Sequence, residues 1–402
     1  MSVFESVRVV EVSLYIAGPY AGRILSSLGA EVIHVETSKA PDQMRFMPPK
    51  APGACHPFYG STKRKVALNL NNPGGRQILY KLVEKSDVFV QNFSIDAVEK
   101  WGMTYESIKK VKPDIIYIWQ SGMGIEGPYS SYKAYGGQLQ AITGISSLTG
   151  FPDKPPTQAN TAFCDYHSAL YCVMLMVGAL ERKRRTGKGI FIEIPLVETG
   201  VASIGPALLE YAANNRVPAR WGNRHPFASP HGAYPCQGED RWCVIAVFTD
   251  KQWCAFCDIL EHPEWVKGDK FGTLQLRKRN EDELDQLIGE WTSKRNAPDV
   301  VKGMQEAGIP SGLVMKGEDL VADPHFKERN FYWQTVYHEP PFTKDAKTGV
   351  GIAMRMPMLF SATPCQNGPT GYIGKDNEYV YGELLGMSKE EIRRLEQEGA
   401  LV

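Results

Sequence analysis

Short apolar runs alternate with amphipathic stretches along the first third of this chain. The runs are rich in β-branched residues and are bounded by turn-forming residues, which is typical of buried strands. They cover residues 7–12, 31–35, 65–70, 88–90 and 115–119, with helical patterns between them at 17–28, 74–85, 97–100 and 105–110. This alternation predicts an α/β fold with a doubly wound, Rossmann-like parallel sheet. Ligands of such sheets bind beyond the carboxyl ends of the strands, where Tyr15, Glu36, Asn92, Phe93 and Ser121 follow.

A longer pattern from 155 to 196 places one acid at the start of an apolar helix. A proline-rich loop leads to Asp165, an apolar run covers 166–180, and basic residues fill 182–185 before a strand at 190–196. This order predicts a mostly buried helix that begins near Asp165. Two interpretations of Asp165 stay open at this point. It is either an N-cap that accepts from free backbone N–H groups, or a nucleophile whose charge the helix N-terminus favours.

The second half of the chain predicts a smaller domain. Residues 201–220 resemble a connector, and the segment 223–235, rich in proline, histidine and glycine, predicts a boundary. Further α/β patterns follow up to 329, the segment from 324 to 373 looks irregular, and 389–398 predicts a polar helix. We therefore expect a large domain built from both ends of the chain with a smaller α/β domain inserted. The predicted ranges are 1–200, a linker at 201–228, the small domain at 229–325, and 326–402 as the return to the large domain.

Composition narrows the classes of function. The 402 residues carry no formal net charge and 43% are hydrophobic, so a large core is expected and nucleic acid or a membrane surface is not indicated as a partner. No apolar run is predicted to reach membrane-spanning length. The eight cysteines are scattered, which favours reduced thiols and a cytoplasmic protein. Gly18 and Gly22 lack the spacing of a dinucleotide fingerprint, so no nicotinamide cofactor is expected, and no metal site is indicated.

Five segments, in order, resemble the class III coenzyme A transferases. This family includes formyl-CoA transferase, the carnitine CoA-transferases and the α-methylacyl-CoA racemases. The segments are VRVVEVSLYIAGPYAGRILSSLGAEVIHVE, STKRKVALNLNNPGG, SDVFVQNF, KPDIIYIWQSGMGIEGP and TAFCDYHSALYCVMLMVGALERKRRTGKG. The resemblance implies an enzyme that moves CoA from an acyl-CoA to a carboxylic acid, without a tightly bound cofactor. It also implies an interlocked homodimer, or a heteromer with a homologous subunit.

The resemblance assigns roles to individual positions. Asp165 matches the family nucleophile, which forms an aspartyl anhydride and then an aspartyl-CoA thioester. Lys100 and Lys133 match phosphate contacts, and Trp101 matches an adenine platform. The full set of implied CoA contacts is Tyr15, Ile16, Thr37, Leu68, Asn71, Asn92, Phe93, Lys100, Trp101 and Lys133.

The segments around the expected acid pocket depart from the best-known family member. The formyl-CoA enzyme has glutamine where Ile16 stands and glutamate where Gly136 stands, so a different acid is expected here. The expected pocket residues are Tyr135, Gly136, Phe163, Tyr166 and His167, whose aromatic rings would suit a larger acid. Two alternatives remain: a CoA-ester racemase or isomerase on the same fold, which would need a second base, and a non-catalytic CoA-binding subunit.

Overall fold

The computed structural model describes residues 2–47, 55–159, 161–338 and 348–402. Its contacts divide the chain into a larger unit, 1–146, 158–215 and 327–402, and a smaller unit, 147–157 and 216–326. The segment 147–157 therefore belongs to the smaller unit, whereas the sequence pattern placed it in the large domain. One reason is Arg220, whose guanidinium donates to the carbonyl oxygens of Ser147, Phe151 and Lys154.

The larger unit is built on a six-stranded parallel sheet. Its strands are β1 (Arg8–Val12), β2 (Glu31–Glu36), β3 (Arg64–Ala67), β4 (Val88–Gln91), β5 (Ile116–Trp119) and β6 (Ile190–Glu193). They lie in the order β3-β2-β1-β4-β5-β6, which is the strand order of a Rossmann fold. The predicted doubly wound parallel sheet is confirmed.

Helices cover both faces of this sheet. They are α1 (Ala17–Ser27), α2 (His56–Gly60), α3 (Pro73–Glu84), α4 (Ile95–Lys100), α5 (Tyr105–Val111), α6 (Gly136–Ile142), α7 (Ile145–Leu148), α8 (Phe163–Thr186), α9 (Leu196–Ser203) and α10 (Gly205–Asn214). Neighbouring strand residues point to opposite faces, so Val9 packs in the core that contains α1 and α8 residues, while Val10 packs in the core that contains α3 and α5 residues. Burial on both faces explains why these strands are continuous apolar runs.

Helix α8 differs from its prediction. Ala169, Cys172 and Met176 pack into the core cluster that includes β1 and β5 residues, but the opposite face is open to solvent. That exposed face carries Leu170, Tyr171, Met174, Leu175 and Val177. The prediction of a mostly buried helix is therefore wrong, because the apolar run includes residues on both faces. By length and composition α8 is also apolar enough to cross a membrane, contrary to the sequence prediction, although its inner face is part of a protein core.

The smaller unit has its own antiparallel sheet and core. Its strands β7 (His231–Pro235), β8 (Trp242–Ala246) and β9 (Ser311–Leu313) pair in that order. Its helices are α11 (Asp250–Ile259), α12 (Leu274–Arg279), α13 (Glu281–Thr292), α14 (Ala297–Glu306) and α15 (Gly317–Ala322), with a 3-10 turn at Pro263–Val266. The segment 223–235, predicted as a boundary, contains β7 and so belongs to this unit rather than separating two domains.

The end of the chain returns to the larger unit. After α16 (Pro324–Glu328), strands β10 (Tyr332–His338) and β11 (Thr348–Met354) pair as an antiparallel ribbon. The prediction of an irregular segment from 324 to 373 is thus wrong in part, while 339–347 lies outside the described residues. A π-helix at Glu378–Leu384 and helix α17 (Lys389–Gln397) follow; an earlier 3-10 turn covers Gln43–Phe46. Val380, Tyr381 and Leu395 pack in the core cluster that includes Val10.

Candidate active site

The predicted CoA contacts collect at the carboxyl edge of the parallel sheet. Tyr15 and Ile16 follow β1, Thr37 follows β2, Leu68 follows β3, and Asn92 and Phe93 follow β4. Parallel strands present their carboxyl ends on the same edge, so residues far apart in the chain meet there. This explains how the sequence could place them together without any one local motif.

The loop after β1 is fixed by two polar side chains. The Asn92 amide accepts from the Leu14 N–H at 3.0 Å and donates to the Leu14 carbonyl at 2.8 Å. Tyr15 has a φ of +66°, which a bulky residue adopts only when its surroundings enforce it. Its N–H donates to Asp42 Oδ2 at 3.1 Å. The side chain of Asn92 is therefore hydrogen-bonded within the protein, and Ile16 lies on a loop that these contacts hold in place.

A second group of predicted contacts forms an aromatic and amide cluster. The Trp101 ring meets the Phe93 ring edge to face at a centroid distance of 5.0 Å, and Trp101 Nε1 donates to Asn71 Oδ1 at 3.1 Å. The carbonyl oxygen of Phe93 accepts from Trp119. A half-buried indole held in this way has one fixed orientation, which suits a surface on which a flat base can stack.

The remaining predicted contacts differ in exposure. Lys100, at the end of α4, and Lys133 are both exposed. Leu68 is buried, and the Thr37 hydroxyl donates to the carbonyl oxygen of Val402 at 2.7 Å. Among these residues the two lysines have charged groups available to a ligand, whereas Leu68 and Thr37 contact their own chain.

Asp165 lies in the first turn of α8 and is not its N-cap. The N-cap is Ala162, whose side chain cannot accept a hydrogen bond, so the N-cap interpretation of Asp165 is wrong. Within the described residues, Asp165 Oδ2 is buried without a hydrogen-bond partner. A Cβ added to Gly136, the first residue of α6, would lie 3.5 Å from this oxygen and 3.2 Å from the Cβ of Ala162. The starts of α6 and α8 thus meet at the carboxylate.

Burial controls the charge of this acid. Desolvation raises the pKa of Asp165 from its usual 3.8 to about 6, and a backbone hydrogen bond only partly opposes it. The sequence argument that the helix N-terminus simply keeps the acid charged is therefore incomplete, because burial outweighs it. At neutral pH the carboxylate is still mostly ionised, but it is much more basic than an exposed aspartate.

A cavity of about 360 Å³ opens beside the Asp165 turn. Of the predicted pocket residues, Gly136 and Tyr166 line it, together with Ile16 from the predicted CoA set. Phe163 and His167 stack on each other instead, with ring centroids 4.2 Å apart. Tyr135 is largely exposed and meets the ring of Tyr15 edge to face at 5.5 Å.

Most of the lining residues were missed by the sequence analysis, and two of them, Tyr59 and Gln140, bring polar side chains from other helices. Tyr59 comes from α2, and its hydroxyl lies 2.6 Å from the hydroxyl of Tyr166. Burial, and then this neighbour, raise the pKa of Tyr59, so it remains a neutral hydrogen-bonding group. Gln140 comes from the middle of α6. Neither belongs to a local motif that contains Asp165, so no spacing in the sequence could have connected them to it.

A buried charge cluster lies between β1 and β2. Glu11 accepts from His34 Nδ1 at 2.7 Å, and its two oxygens lie 3.0 and 2.8 Å from Lys63 Nζ. Glu36 receives both Nε and an Nη of Arg45 at 2.7 Å each. Glu36 also accepts from the N–H of Asp42 at 2.9 Å. Because Asp42 holds Tyr15, this cluster supports the loop that presents Ile16.

Comparison with known proteins decides the family. The model of CoA-transferase family III matches residues 4–369. The chain belongs to CoA-transferase family III. A succinyl-CoA–D-citramalate CoA-transferase of Chloroflexus aurantiacus is 30% identical over 98% of this chain and 96% of its own length. A succinate–glutarate CoA-transferase of Agrobacterium fabrum is 30% identical over 94% of this chain and 95% of its own length.

A solved structure has the same fold. A CAIB/BAIF family protein from Brucella suis superposes with a TM-score of 0.86 at 28% identity, covering 95% of this chain and 99% of its own. The predicted family and enzyme class are therefore confirmed. Family III enzymes use CoA thioesters as substrates, so the carboxyl edge of the sheet and the Asp165 cavity together form the candidate active site. The roles of the individual residues stay predictions.

Proposed function

We propose that this family III enzyme transfers CoA from an acyl-CoA donor to a carboxylic acid, with Asp165 as the covalent carrier. The observation that carries the proposal is the buried, unpartnered Oδ2 of Asp165 beside a cavity at a helix start. A carboxylate oxygen without a hydrogen-bond partner is costly to bury, so a function in which the carboxylate reacts accounts for its position.

The proposed reaction has four balanced steps. The Asp165 carboxylate attacks the thioester carbonyl of the donor, CoA thiolate leaves, and a mixed anhydride remains. The thiolate then attacks the aspartyl carbonyl, which releases the first acid and leaves an aspartyl-CoA thioester. The acceptor carboxylate attacks this thioester and forms a second anhydride with release of thiolate. Finally the thiolate attacks the acyl carbonyl, which gives the new acyl-CoA and regenerates Asp165.

The CoA part of the substrate would extend along the carboxyl edge of the sheet. We propose that the exposed ammonium groups of Lys100 and Lys133 pair with its phosphates and that adenine stacks on Trp101. The fixed orientation of Trp101 against Phe93 and Asn71 supports this assignment. Backbone groups of the loop at Tyr15 and Ile16 would then face the reacting end.

The acceptor acid would occupy the cavity next to Asp165. Gly136 allows the start of α6 to lie close to Ala162, where an added Cβ would come within 3.2 Å, and the hydroxyls of Tyr59 and Tyr166 offer hydrogen bonds. The names of two relatives pair succinyl groups with D-citramalate or glutarate. We therefore choose succinyl-CoA as the first donor to test, with glutarate, D-citramalate and an aromatic acid as acceptors.

We further propose that the enzyme works in the cytoplasm as a dimer, either with itself or with a homologous subunit. The open apolar face of α8 supports this, and so does α10, none of whose residues is buried within the chain. Contiguous exposed apolar surface of this kind usually marks an interface. Light scattering after gel filtration of the purified chain should give twice the mass of one chain; a monomer with full activity would contradict the dimer.

The covalent step can be tested by trapping. Incubation with succinyl-CoA and hydroxylamine should modify the peptide that contains Asp165 and inactivate the enzyme, because anhydrides and thioesters react with this nucleophile. Asp165→Ala should bind CoA but should show no turnover and no modified peptide. A tenth or more of wild-type activity in that variant would eliminate Asp165 as the carrier.

The same experiment in deuterated water separates the alternatives. A racemase would exchange the α-hydrogen of the acyl group while its Asp165 peptide stayed unmodified, because its aspartate only moves a proton. A non-catalytic subunit would show neither exchange nor trapping. We expect a modified Asp165 peptide without deuterium in the acyl chain.

The CoA assignment has its own test. Lys100→Ala and Lys133→Ala should each weaken CoA binding by about 1.5–3 kcal/mol, because each removes a charge-assisted contact, and should leave the trapping reaction intact at saturating donor. Lys109→Ala, which removes an exposed lysine of α5, is the matched control. Titration calorimetry that shows unchanged CoA affinity in both variants would remove these lysines from the site.

A further inference from the structure

Gln140 makes an unusual set of contacts in the middle of α6. Its side chain is buried, and Nε2 donates to the carbonyl oxygens of Thr161 at 2.8 Å and Ala159 at 3.2 Å. Its Oε1 accepts from the N–H of Ala159 at 3.0 Å. A weaker contact of 3.4 Å joins Nε2 to the carbonyl oxygen of Gly136. The amide of Gln140 therefore forms hydrogen bonds with backbone groups of α6 and of the loop that precedes α8.

This loop has a further contact with α6, from Gln158 Nε2 to the carbonyl oxygen of Gly137 at 3.2 Å, but α8 begins without a capping side chain. The N-cap Ala162 supplies no side-chain hydrogen bond. The backbone continues from the loop into the helix through Phe163, whose N–H donates to the carbonyl oxygen of Thr161 at 2.9 Å. Gln140, which lies on α6, thus stands in for a capping side chain of α8. Its amide holds Thr161, whose carbonyl oxygen accepts a hydrogen bond from the first N–H of α8.

The Gln140 amide also links the loop to Gly136, which lies next to the Asp165 carboxylate. Gly136 and Gln140 are one helical turn apart on α6, and Gly136 faces Asp165 Oδ2. A shift of the loop relative to α6 would change the distance between the Asp165 carboxylate and the cavity lined by Gly136, Gln140 and Tyr166. A misplacement of about 1 Å in a reacting group is enough to slow a covalent step by about 100-fold.

We propose that Gln140 is a positioning residue for this transferase: it holds the loop at Ala159 and Thr161, and with it the first turn of α8, so that Asp165 is kept beside the acid cavity. The inference rests on the proposed role of Asp165 as nucleophile. The side chain acts through backbone groups, because both ends of its amide are occupied by the protein. Its loss would leave the N–H of Ala159 without its partner and would remove one of two donors from each of the carbonyl oxygens of Ala159 and Thr161, so the loop would move to recover hydrogen bonds.

The test compares three variants with the wild-type enzyme. Gln140→Met keeps length and volume but removes every hydrogen bond, and should lower kcat at least about tenfold while KM for acyl-CoA changes less than about threefold. Gln140→Glu keeps the acceptor for Ala159 but adds a negative charge to the same cavity, so the acid limb of kcat/KM should move to higher pH. Gln286→Met, on the exposed face of α13, makes the same chemical change elsewhere and should leave both quantities unchanged.

The trapping rate of Asp165 separates positioning from simple bracing. Gln140→Met should be modified by hydroxylamine at least about tenfold more slowly than wild type at saturating acyl-CoA. If Gln140→Met melts earlier but keeps the wild-type kcat and trapping rate per folded molecule, the residue is only structural and the inference is wrong. If Gln140→Met does not fold, a wild-type kcat and trapping rate in Gln140→Glu, whose carboxylate cannot donate to the carbonyl oxygens of Ala159 and Thr161, overturn it. An untrapped wild-type enzyme would instead overturn the proposed function itself.

Discussion

Two regions of the larger unit bury carboxylates, but only one of the two surrounds them with cations. Between β1 and β2, Glu11 and Glu36 are surrounded by cations: Lys63 and His34 contact Glu11, and Arg45 binds Glu36 with two hydrogen bonds. At the start of α8, Asp165 has a buried oxygen that accepts no hydrogen bond from any described group. Burial alone would raise the pKa of all three acids.

The neighbouring charged groups decide whether the pKa of each buried acid rises or falls. Burial opposes ionisation of Glu11, but Lys63 and His34 outweigh it and hold the pKa of Glu11 well below its usual range. Arg45 does the same for Glu36. For Asp165 burial prevails, and the pKa rises to about 6. The comparison teaches that a buried acid paired with cations belongs to the fold, whereas one left without a cation is available for chemistry.

The largest effect should come from breaking the satisfied region. Glu11→Gln removes the charge that compensates Lys63 in a fully buried site, so the free energy of unfolding should fall by about 3–5 kcal/mol. Urea denaturation followed by circular dichroism measures this change. Glu181→Gln, which removes an exposed carboxylate that pairs with Arg184 and Arg185, is the control and should cause no measurable change. Equal midpoints for Glu11→Gln and wild type would show that the cluster does not stabilise the fold.

At Asp165 we expect removal of the charge to raise the free energy of unfolding instead of lowering it. Asp165 has a raised pKa in the folded protein, so its ionised form opposes folding above about pH 6, and this penalty disappears below the ordinary pKa of 3.8. Asp165→Asn should therefore stabilise the protein at pH 7.5 by up to about 3 kcal/mol, and about two thirds of that gain should be gone at pH 4.5. Melting temperatures of the two proteins at both pH values check this. A gain that does not depend on pH would mean that the charge is not its cause.

The smallest effect concerns the pH profile. If the ionised Asp165 attacks, kcat/KM should fall about tenfold between pH 7.5 and pH 5, because only about a tenth of a carboxyl with a pKa of about 6 is ionised at pH 5. An aspartate with an ordinary pKa would still be mostly ionised there. A flat profile down to pH 5, for enzyme shown to stay folded, would contradict the raised pKa in the free enzyme.

The sheet was predictable because its signal is local. Strands β1, β4 and β5 of the parallel sheet are buried apolar runs such as 88–91, and helical patterns lie between the strands, so periodicity indicates the alternation. The ribbon of β10 and β11 was not predicted, because Gly349 and Gly351 interrupt its second strand and weaken the β pattern. The exposed face of α8 was missed because residues such as Leu170 and Ala169 are equally apolar, and only packing distinguishes them.

The candidate site was predictable only in part. Asp165 follows from its place before an apolar helix and from the family segments around it. Its raised pKa does not, since that value comes from desolvation by residues distant in the sequence. Tyr59 and Gln140 join the cavity through contacts between separate helices, for which the chain has no periodic signal. The pairing of Phe163 with His167 follows the i, i+4 spacing of a helix, and it was missed because the predicted helix began near Asp165, after Phe163.

The larger unit draws its core from distant parts of the chain, and this affects how it is made. Ala400 and Leu401 are buried in the same cluster as Val10 and Ile33, and the carbonyl oxygen of Ala400 accepts from the N–H of Asn69. The core of the smaller unit comes from a much shorter interval, from Tyr234 to Ile309. During synthesis the smaller unit can therefore be complete first. At that stage one face of the parallel sheet still lacks part of its core, because those residues have not left the ribosome. We expect the larger unit to fold last and to need protection from aggregation until then.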